Sequence, residues 1–245
     1  GATVYMHMLK ANPSTGTINS ADLRKAQEQA NQNRNRAKKS AADFNWRSRG
    51  PDNQGGRTRA LIIDNDNNSV LYAGSASGGL FKSTNKGATW KGIDYEDASR
   101  YKSLAISCME QASNGTIYFG TGERYFAVLS GLDGANAGSG GYKGMGMWKS
   151  TDGGDTWQHL ESTIPDQPFG DGEGISPWDG VNEIAIDPND PQRVFVATQR
   201  GLLLTEDGGK NWTTISGADP LNFPQSAPYA EVVISDDGQT VFAAS

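Results

Sequence analysis

The chain has 245 residues, enough for one large all-β domain or two small ones, with a buried core in either case. Its net charge of −6 is unevenly spread: residues 1–60 carry 11 Lys and Arg against 4 Asp and Glu, and residues 61–245 carry 11 against 24. An acidic body with a basic arm argues against nucleic acid as the main ligand, one cysteine rules out an internal disulfide, and no apolar stretch reaches the length of a membrane span.

Residues 1–18 read as an extended lead-in with a turn at Asn12-Pro-Ser-Thr-Gly16. The start is no signal peptide, although a mature chain whose signal had been removed would look the same. A basic helix is expected over 20–42, its sparse apolar face (Leu23, Ala26, Ala30) suiting it to lie outside the main domain or to pack on something else. At residue 44 the composition changes. Ala42-Asp-Phe-Asn-Trp46 echoes the later Gly87-Ala-Thr-Trp90, and a Gly-rich loop over 50–56 leads into a repeat.

Each repeat has four strand-like pieces. The first is an apolar run: Leu61-Ile-Ile63, Leu104-Ala-Ile106, Ile184-Ala-Ile186 and Val232-Val-Ile234. Apolar on both faces, these strands are expected to be buried and to line a centre. Cys108 follows the second run, where a buried, inert thiol is expected. The second pieces are Val70–Gly74, Thr116–Gly120, Arg193–Ala197 and Thr240–Ala244, and the third are Gly79–Ser83, Gly146–Ser150 and Gly201–Thr205. The fourth pieces begin at Trp90, Trp157 and Trp212.

Between third and fourth pieces one motif recurs three times: a hydroxyl, then Asp or Asn, Gly and Trp at fixed spacing. The copies are Ser83, Asn85, Gly87 and Trp90; Ser150, Asp152, Gly154 and Trp157; and Thr205, Asp207, Gly209 and Trp212. The Asp or Asn folds back on the backbone and the Gly takes positive φ, closing a tight hairpin. The Trp buries its ring. Full indole burial removes roughly 150–250 Å², about 4–6 kcal/mol, against about 1 kcal/mol for each turn hydrogen bond, so the Trp is the anchor and the turn its locator.

This motif resembles the Asp-box, or BNR repeat, of sialidase-like and sortilin-like β-propellers. The resemblance together with the repeat implies an all-β propeller of four-stranded antiparallel blades at about 57–93, 101–160, 180–215 and 229–245, the last incomplete, in a domain over 44–245 preceded by an arm over 1–43. About three and a half blades do not close a ring. Either a longer chain or a partner completes it, and a longer chain is favoured, with the Trp46 strand fastening the ring.

In such meanders the box turns lie on one face, and the second-to-third and blade-to-blade connections on the other. Two long insertions, over 122–144 and 161–180, therefore share the face opposite the boxes, the usual place for binding. The candidate ligand residues there are Glu123, Arg124, Tyr125, Tyr142, Asp171, Glu173 and Trp178. Aromatics beside carboxylates suit carbohydrate, and equally suit loops that pack on themselves. Asp64-Asn-Asp-Asn-Asn-Ser69 lacks the Gly and distal Glu of an EF-hand loop and reads as a turn. His7 and His159 have no metal spacing around them, so no metal and no cofactor is expected.

The first repeat, with Trp46, Gly50-Pro51, Gly55-Gly-Arg-Thr-Arg59 and Gly78–Ser83, is similar to large secreted Asp-box proteins of Bacteroidetes-type bacteria. That implies export to the cell surface or medium, by the type IX secretion system, and a binding or display module whose partner is carbohydrate or a surface protein. The alternative is a glycoside hydrolase. Sialidases of the family carry Arg-Ile-Pro, absent here, and the related xyloglucan-cleaving propellers place a catalytic Asp before the Gly-Gly of the third strand. Here Ser75-Ala76-Ser77 precedes Gly78-Gly79, so no catalytic residue is assigned; Glu123, Asp171 and Glu173 remain conceivable carboxylates.

Overall fold

The computed structural model describes residues 56–95, 103–122, 144–165, 176–198, 200–216 and 231–244, together with 8, 11–19, 22, 25, 26, 28–30, 32, 33, 126, 127, 139, 140, 168 and 169. Of the helix expected over 20–42, the described residues 22, 25, 26, 28–30, 32 and 33 are helical; the Trp46 strand lies outside the described residues.

A short strand, β1 (Ile18–Asn19), precedes the first sheet, which joins β2 (Thr58–Ile63), β3 (Leu71–Ser75), β4 (Gly79–Ser83) and β5 (Lys91–Ile93). The second sheet begins with β6 (Ile106–Gln111) and β7 (Ile117–Thr121). Within its next connection β8 (Phe126–Ala127) pairs with β9 (Ser139–Gly140), and β10 (Met147–Ser150) and β11 (Gln158–His159) complete the sheet. Then β12 (Pro168–Phe169) pairs back with β1. The third sheet is β13 (Val181–Ile186), β14 (Val194–Thr198), β15 (Gly201–Thr205) and β16 (Thr213–Ser216), and β17 (Glu231–Ile234) with β18 (Val241–Ala244) forms the described part of a fourth. Within each of these four sheets every pairing is antiparallel between strands that follow one another in that sheet, so each is a simple meander. We call the four sheets blades 1 to 4.

Side-chain alternation packs these blades face to face. Ala60, Tyr72 and Leu80 of blade 1 meet Ile106, Met109, Phe119 and Trp148 of blade 2. Cys108, Tyr118 and Met147 of blade 2 meet Val181, Ile184 and Val196 of blade 3, and Phe195 and Leu202 of blade 3 meet Val232 of blade 4. Cys108 is buried, and burial pushes its thiol well above the ordinary range, as an inert packing residue requires.

One strand differs from the sequence reading. The first strand of blade 2 is not Leu104–Ile106 but β6, which starts at Ile106; Leu104 is exposed. By ladder register Leu61-Ile62-Ile63 corresponds to Met109-Glu110-Gln111, because each sits opposite the equivalent residues of the second strand. A bulge stands at the same point of β2, β6 and β13 (between Thr58 and Ala60, Ile106 and Cys108, Val181 and Glu183); Leu61–Ile63 and Ile184–Ile186 follow it, whereas Leu104–Ile106 comes before it.

The box turns do more than close hairpins. In each, the hydroxyl accepts the glycine N–H: Gly87 N to Ser83 Oγ at 2.9 Å, Gly154 N to Ser150 Oγ at 2.9 Å and Gly209 N to Thr205 Oγ1 at 3.0 Å. The acid or amide then receives the N–H four residues on, as in Thr156 N to Asp152 Oδ1 at 2.9 Å and Asn211 N to Asp207 Oδ1 at 2.9 Å. The hydroxyl and N–H of Thr156, with Ser150, hold the Asp152 carboxyl down at about 2. The turn thus formed is grasped by the preceding blade. The Tyr72 hydroxyl (2.5 Å) and Lys82 Nζ (2.7 Å) both donate to Gly153 O, and Lys149 Nζ donates to Gly208 O at 3.2 Å. Trp157 is buried in that junction; Trp90 is exposed, because no described blade precedes its own.

First-to-second turns on the same face are also tied in series. Gln111 Nε2 donates to Asp64 Oδ2 (3.1 Å), Ser113 Oγ to Pro188 O (3.2 Å) and Arg193 Nη1 to Gly238 O (3.2 Å). Asp64 Oδ1 is occupied by the N–H groups of Asp66 and Asn67, which is turn chemistry.

In urea melts Trp157→Ala should cost about 3–5 kcal/mol, and Trp90→Ala about 1 kcal/mol or less. Asp152→Asn should cost less than about 1 kcal/mol, because its Nδ2 would meet Thr156 Oγ1 as Asn85 Nδ2 meets Thr89 Oγ1 at 2.9 Å. Equal losses at Trp157 and Trp90 would contradict the interblade role of the box.

Candidate functional site

The two long insertions leave the blades through a shared neck. Thr121 Oγ1 donates to Gly146 O (2.7 Å) and accepts from Met145 N (2.8 Å), so the two stems of the 122–144 insertion are pinned together. Gly144 N donates to Asp179 O (2.7 Å) and Gly146 N to Trp178 O (3.1 Å), which ties that insertion to the end of the 161–180 one. Thr163 Oγ1, bonded to Leu160 O at 2.7 Å, accepts from Met147 N at 3.0 Å and fixes the latter's beginning. A Cβ on Gly146 (φ 79) would lie 2.2 Å from Thr163 O, and one on Gly122 (φ 104) 2.6 Å from Asp179 O, so the neck closes only around glycines.

A short 3-10 helix, Pro177–Asp179, turns the second insertion into β13; Ser176 caps it, with the Asp179 carboxylate accepting Ser176 N at 3.1 Å. Trp178 is buried there and meets Trp212 edge to face at 5.0 Å. Its ring serves the junction of blades 2 and 3, leaving little surface for a ligand. Glu123, Arg124, Tyr125, Tyr142, Asp171 and Glu173 lie outside the described residues. The backbone therefore brings the roots of both insertions together.

Sequence reasoning passed over charged residues on the inner strands. Glu110 stands near the box end of β6 and Glu183 near the loop end of β13. Burial pushes Glu110 up to about 7, with the Glu183 charge adding to it. Burial raises Glu183 too, against the Ile184 N–H, with Glu231 adding and Arg59 opposing. A carboxylate interrupting an otherwise apolar inner strand was the available signal. The described residues contain no group of three or more His, Cys, Asp and Glu placed to hold a metal, and no helix among them is long and apolar enough to cross a membrane.

No family model matches the sequence. A xyloglucanase from a Paenibacillus species is 26% identical over 223 residues, covering 63% of this chain and 20% of that protein. Among solved structures, an ancestral GH74 enzyme superposes with a TM-score of 0.52 at 22% identity, covering 76% of this chain and 22% of that one. The GH74 enzyme of Niastella koreensis gives 0.46 at 21% identity, covering 76% and 25%. The fold is an incomplete β-propeller. The chain spans about a fifth of the length of the first relatives it matches. In the propeller frame the neck lies on the face opposite the box turns, where second-to-third and blade-to-blade connections emerge.

Two measurements check this site. Gly146→Ala should cost about 2–4 kcal/mol in urea melts, whereas Gly153→Ala should cost about 1 kcal/mol, since its Cβ would meet nothing within 4 Å; equal costs would contradict the neck. Because the folded value of Glu110 lies above the ordinary 4.5, its contribution is fully present below that pH and is lost as pH rises through about 7. Glu110→Gln should accordingly raise stability at pH 8 by about 1–2 kcal/mol, after allowance for solvent screening, and by nothing at pH 4. A pH-independent effect would contradict the burial of this carboxyl.

Proposed function

We propose that the chain belongs to an extracellular propeller glycoside hydrolase acting on a polysaccharide of the xyloglucan type. The observation that carries this reading is the match to a xyloglucanase across 63% of the chain. The joined roots of the two insertions agree with it: long connections that leave one face from a common glycine neck are where a polymer would be met.

The position before Gly78-Gly79, where the resemblance implies an Asp, holds none. Ser75 Oγ accepts Gly78 N at 2.9 Å and closes that hairpin on itself. On our reading the acid and its partner carboxylate come from the insertions, with Glu123, Asp171 and Glu173 as candidates and Arg124, Tyr125 and Tyr142 as sugar contacts. Two carboxylates about 5–5.5 Å apart would retain anomeric configuration, and about 6.5–9.5 Å apart would invert it.

That missing Asp also favours a second reading, a binding or display module at the cell surface. Export by the type IX system is part of that reading and rests on the likeness of the first repeat to secreted Bacteroidetes-type proteins.

Reducing-end release from xyloglucan and from a panel of other polysaccharides separates the two. The hydrolase reading expects turnover that Glu123→Gln, Asp171→Asn or Glu173→Gln lowers by about a hundredfold or more, with binding kept. Binding of polysaccharide without turnover would overturn it in favour of the display module.

A further inference from the structure

The bulge shared by β2, β6 and β13 leaves one residue of each strand outside the pairing frame: Arg59, Ser107 and Asn182. All three are polar, and a bulge re-aims the side chain it carries. The bulges lie at the end of the blades from which the insertions leave. Gly122 N donates to Ala105 O (2.9 Å), the residue before β6, and Val181 directly follows the 161–180 insertion. The first strands β2, β6, β13 and β17 lie side by side from blade to blade, so the bulged residues gather at the centre of that face.

Two carboxylates join them. Glu183 follows the bulge of β13, and by ladder register Glu231 of β17 holds the same position in blade 4, each opposite the equivalent alanine of the second strand (Ala197 and Ala244). Charges act across the blades here. Burial raises the Cys108 thiol, Glu183 raises it further and Arg59 opposes both. Burial raises Glu183 likewise, with Glu231 adding and Arg59 opposing. Arg59 of blade 1 thus acts past Cys108 of blade 2 on Glu183 of blade 3. The buried Ser107 hydroxyl lies 3.8 Å from the Cys108 thiol and takes no other partner among the described residues, so it does not serve to tie the bulge backbone.

We propose that Arg59, Ser107, Asn182, Glu183 and Glu231 form the floor of the ligand face and hydrogen-bond the hydroxyl groups of a neutral sugar unit. The inference rests on the polysaccharide reading above and gives that reading contacts on the strands themselves. The chemistry selects the ligand class. A sugar hydroxyl both donates and accepts, and a floor that meets several of them needs both roles. The guanidinium donates, the carboxylates accept, and the serine hydroxyl and the carboxamide do either. Two carboxylates against one guanidinium leave the floor net negative, which disfavours anionic sugars and phosphate, while Arg59 among them disfavours an ammonium group. Strands also hold such groups more rigidly than loops do, as recognition of a fixed hydroxyl pattern requires.

Affinity electrophoresis of the full protein in soluble xyloglucan, with urea melts run alongside, tests the floor. Arg59 is half-buried and Ser107→Ala is nearly isosteric, so Arg59→Ala and Ser107→Ala should unfold at the wild-type midpoint. Arg59→Ala and Glu183→Gln should each weaken binding about tenfold or more, and Ser107→Ala about threefold. Asp66→Asn, in an exposed turn on the box face, should leave binding unchanged. Xyloglucan binding that survives both Arg59→Ala and Glu183→Gln would overturn the floor while the polysaccharide reading stood. Preference for polygalacturonate over xyloglucan, lost in Arg59→Ala, would overturn the neutral-sugar class. Failure of the wild-type protein to bind either polymer would overturn the polysaccharide reading and this inference with it.

Discussion

Everything in this molecule depends on one contact, the box turn of one blade held by the strands of the blade before it. Gly153 O receives both the Tyr72 hydroxyl and Lys82 Nζ, and Gly208 O receives Lys149 Nζ. A hairpin that only closed itself would give blades that fold singly and stack weakly. Here the bonds that shape the turn also aim its glycine backbone at a neighbour, and Trp157 fills the space beneath. Blade formation and blade stacking are therefore one cooperative event.

That arrangement divides labour between the two ends of the blades. The box end is stitched from turn to turn by Gln111, Ser113 and Arg193, and it has little freedom to change. The opposite end bears the insertions, whose roots are held together. The N–H groups of Gly144, Gly146 and Met147 bond to Asp179, Trp178 and Thr163 of the other insertion, so a rigid scaffold holds the roots of the two long connections together.

Much of the architecture was legible because its signals are local. A hydroxyl, an Asp or Asn, a Gly and a Trp at fixed spacing specify a hairpin without reference to anything distant, and all three hairpins form. Register was less legible. Leu104–Ile106 has the composition of an inner strand, yet it lies ahead of the bulge that Leu61–Ile63 and Ile184–Ile186 follow, so the paired strand is Ile106–Gln111 and Glu110 takes the place of Ile62. The fate of each Trp was invisible too, since Trp90 and Trp157 end copies of one motif, yet Trp157 is buried against the preceding blade and Trp90 is exposed. Trp178, read as a ligand platform from its place in a long connection, packs on Trp212 because a capped turn folds it back into the blade junction. The joining of the two insertions was the least legible part: Gly144 and Gly146 meet Asp179 and Trp178 through backbone bonds between segments far apart in sequence, and no local pattern encodes that meeting.

The most direct measurement of the central claim is a double-mutant cycle between Tyr72→Ala and Trp157→Ala, which lie on neighbouring blades in one buried cluster. If the box is the joint between blades, the two losses in unfolding free energy should be non-additive by about 1 kcal/mol or more. Additive losses would mean that each residue stabilises only its own blade, and the account would fail.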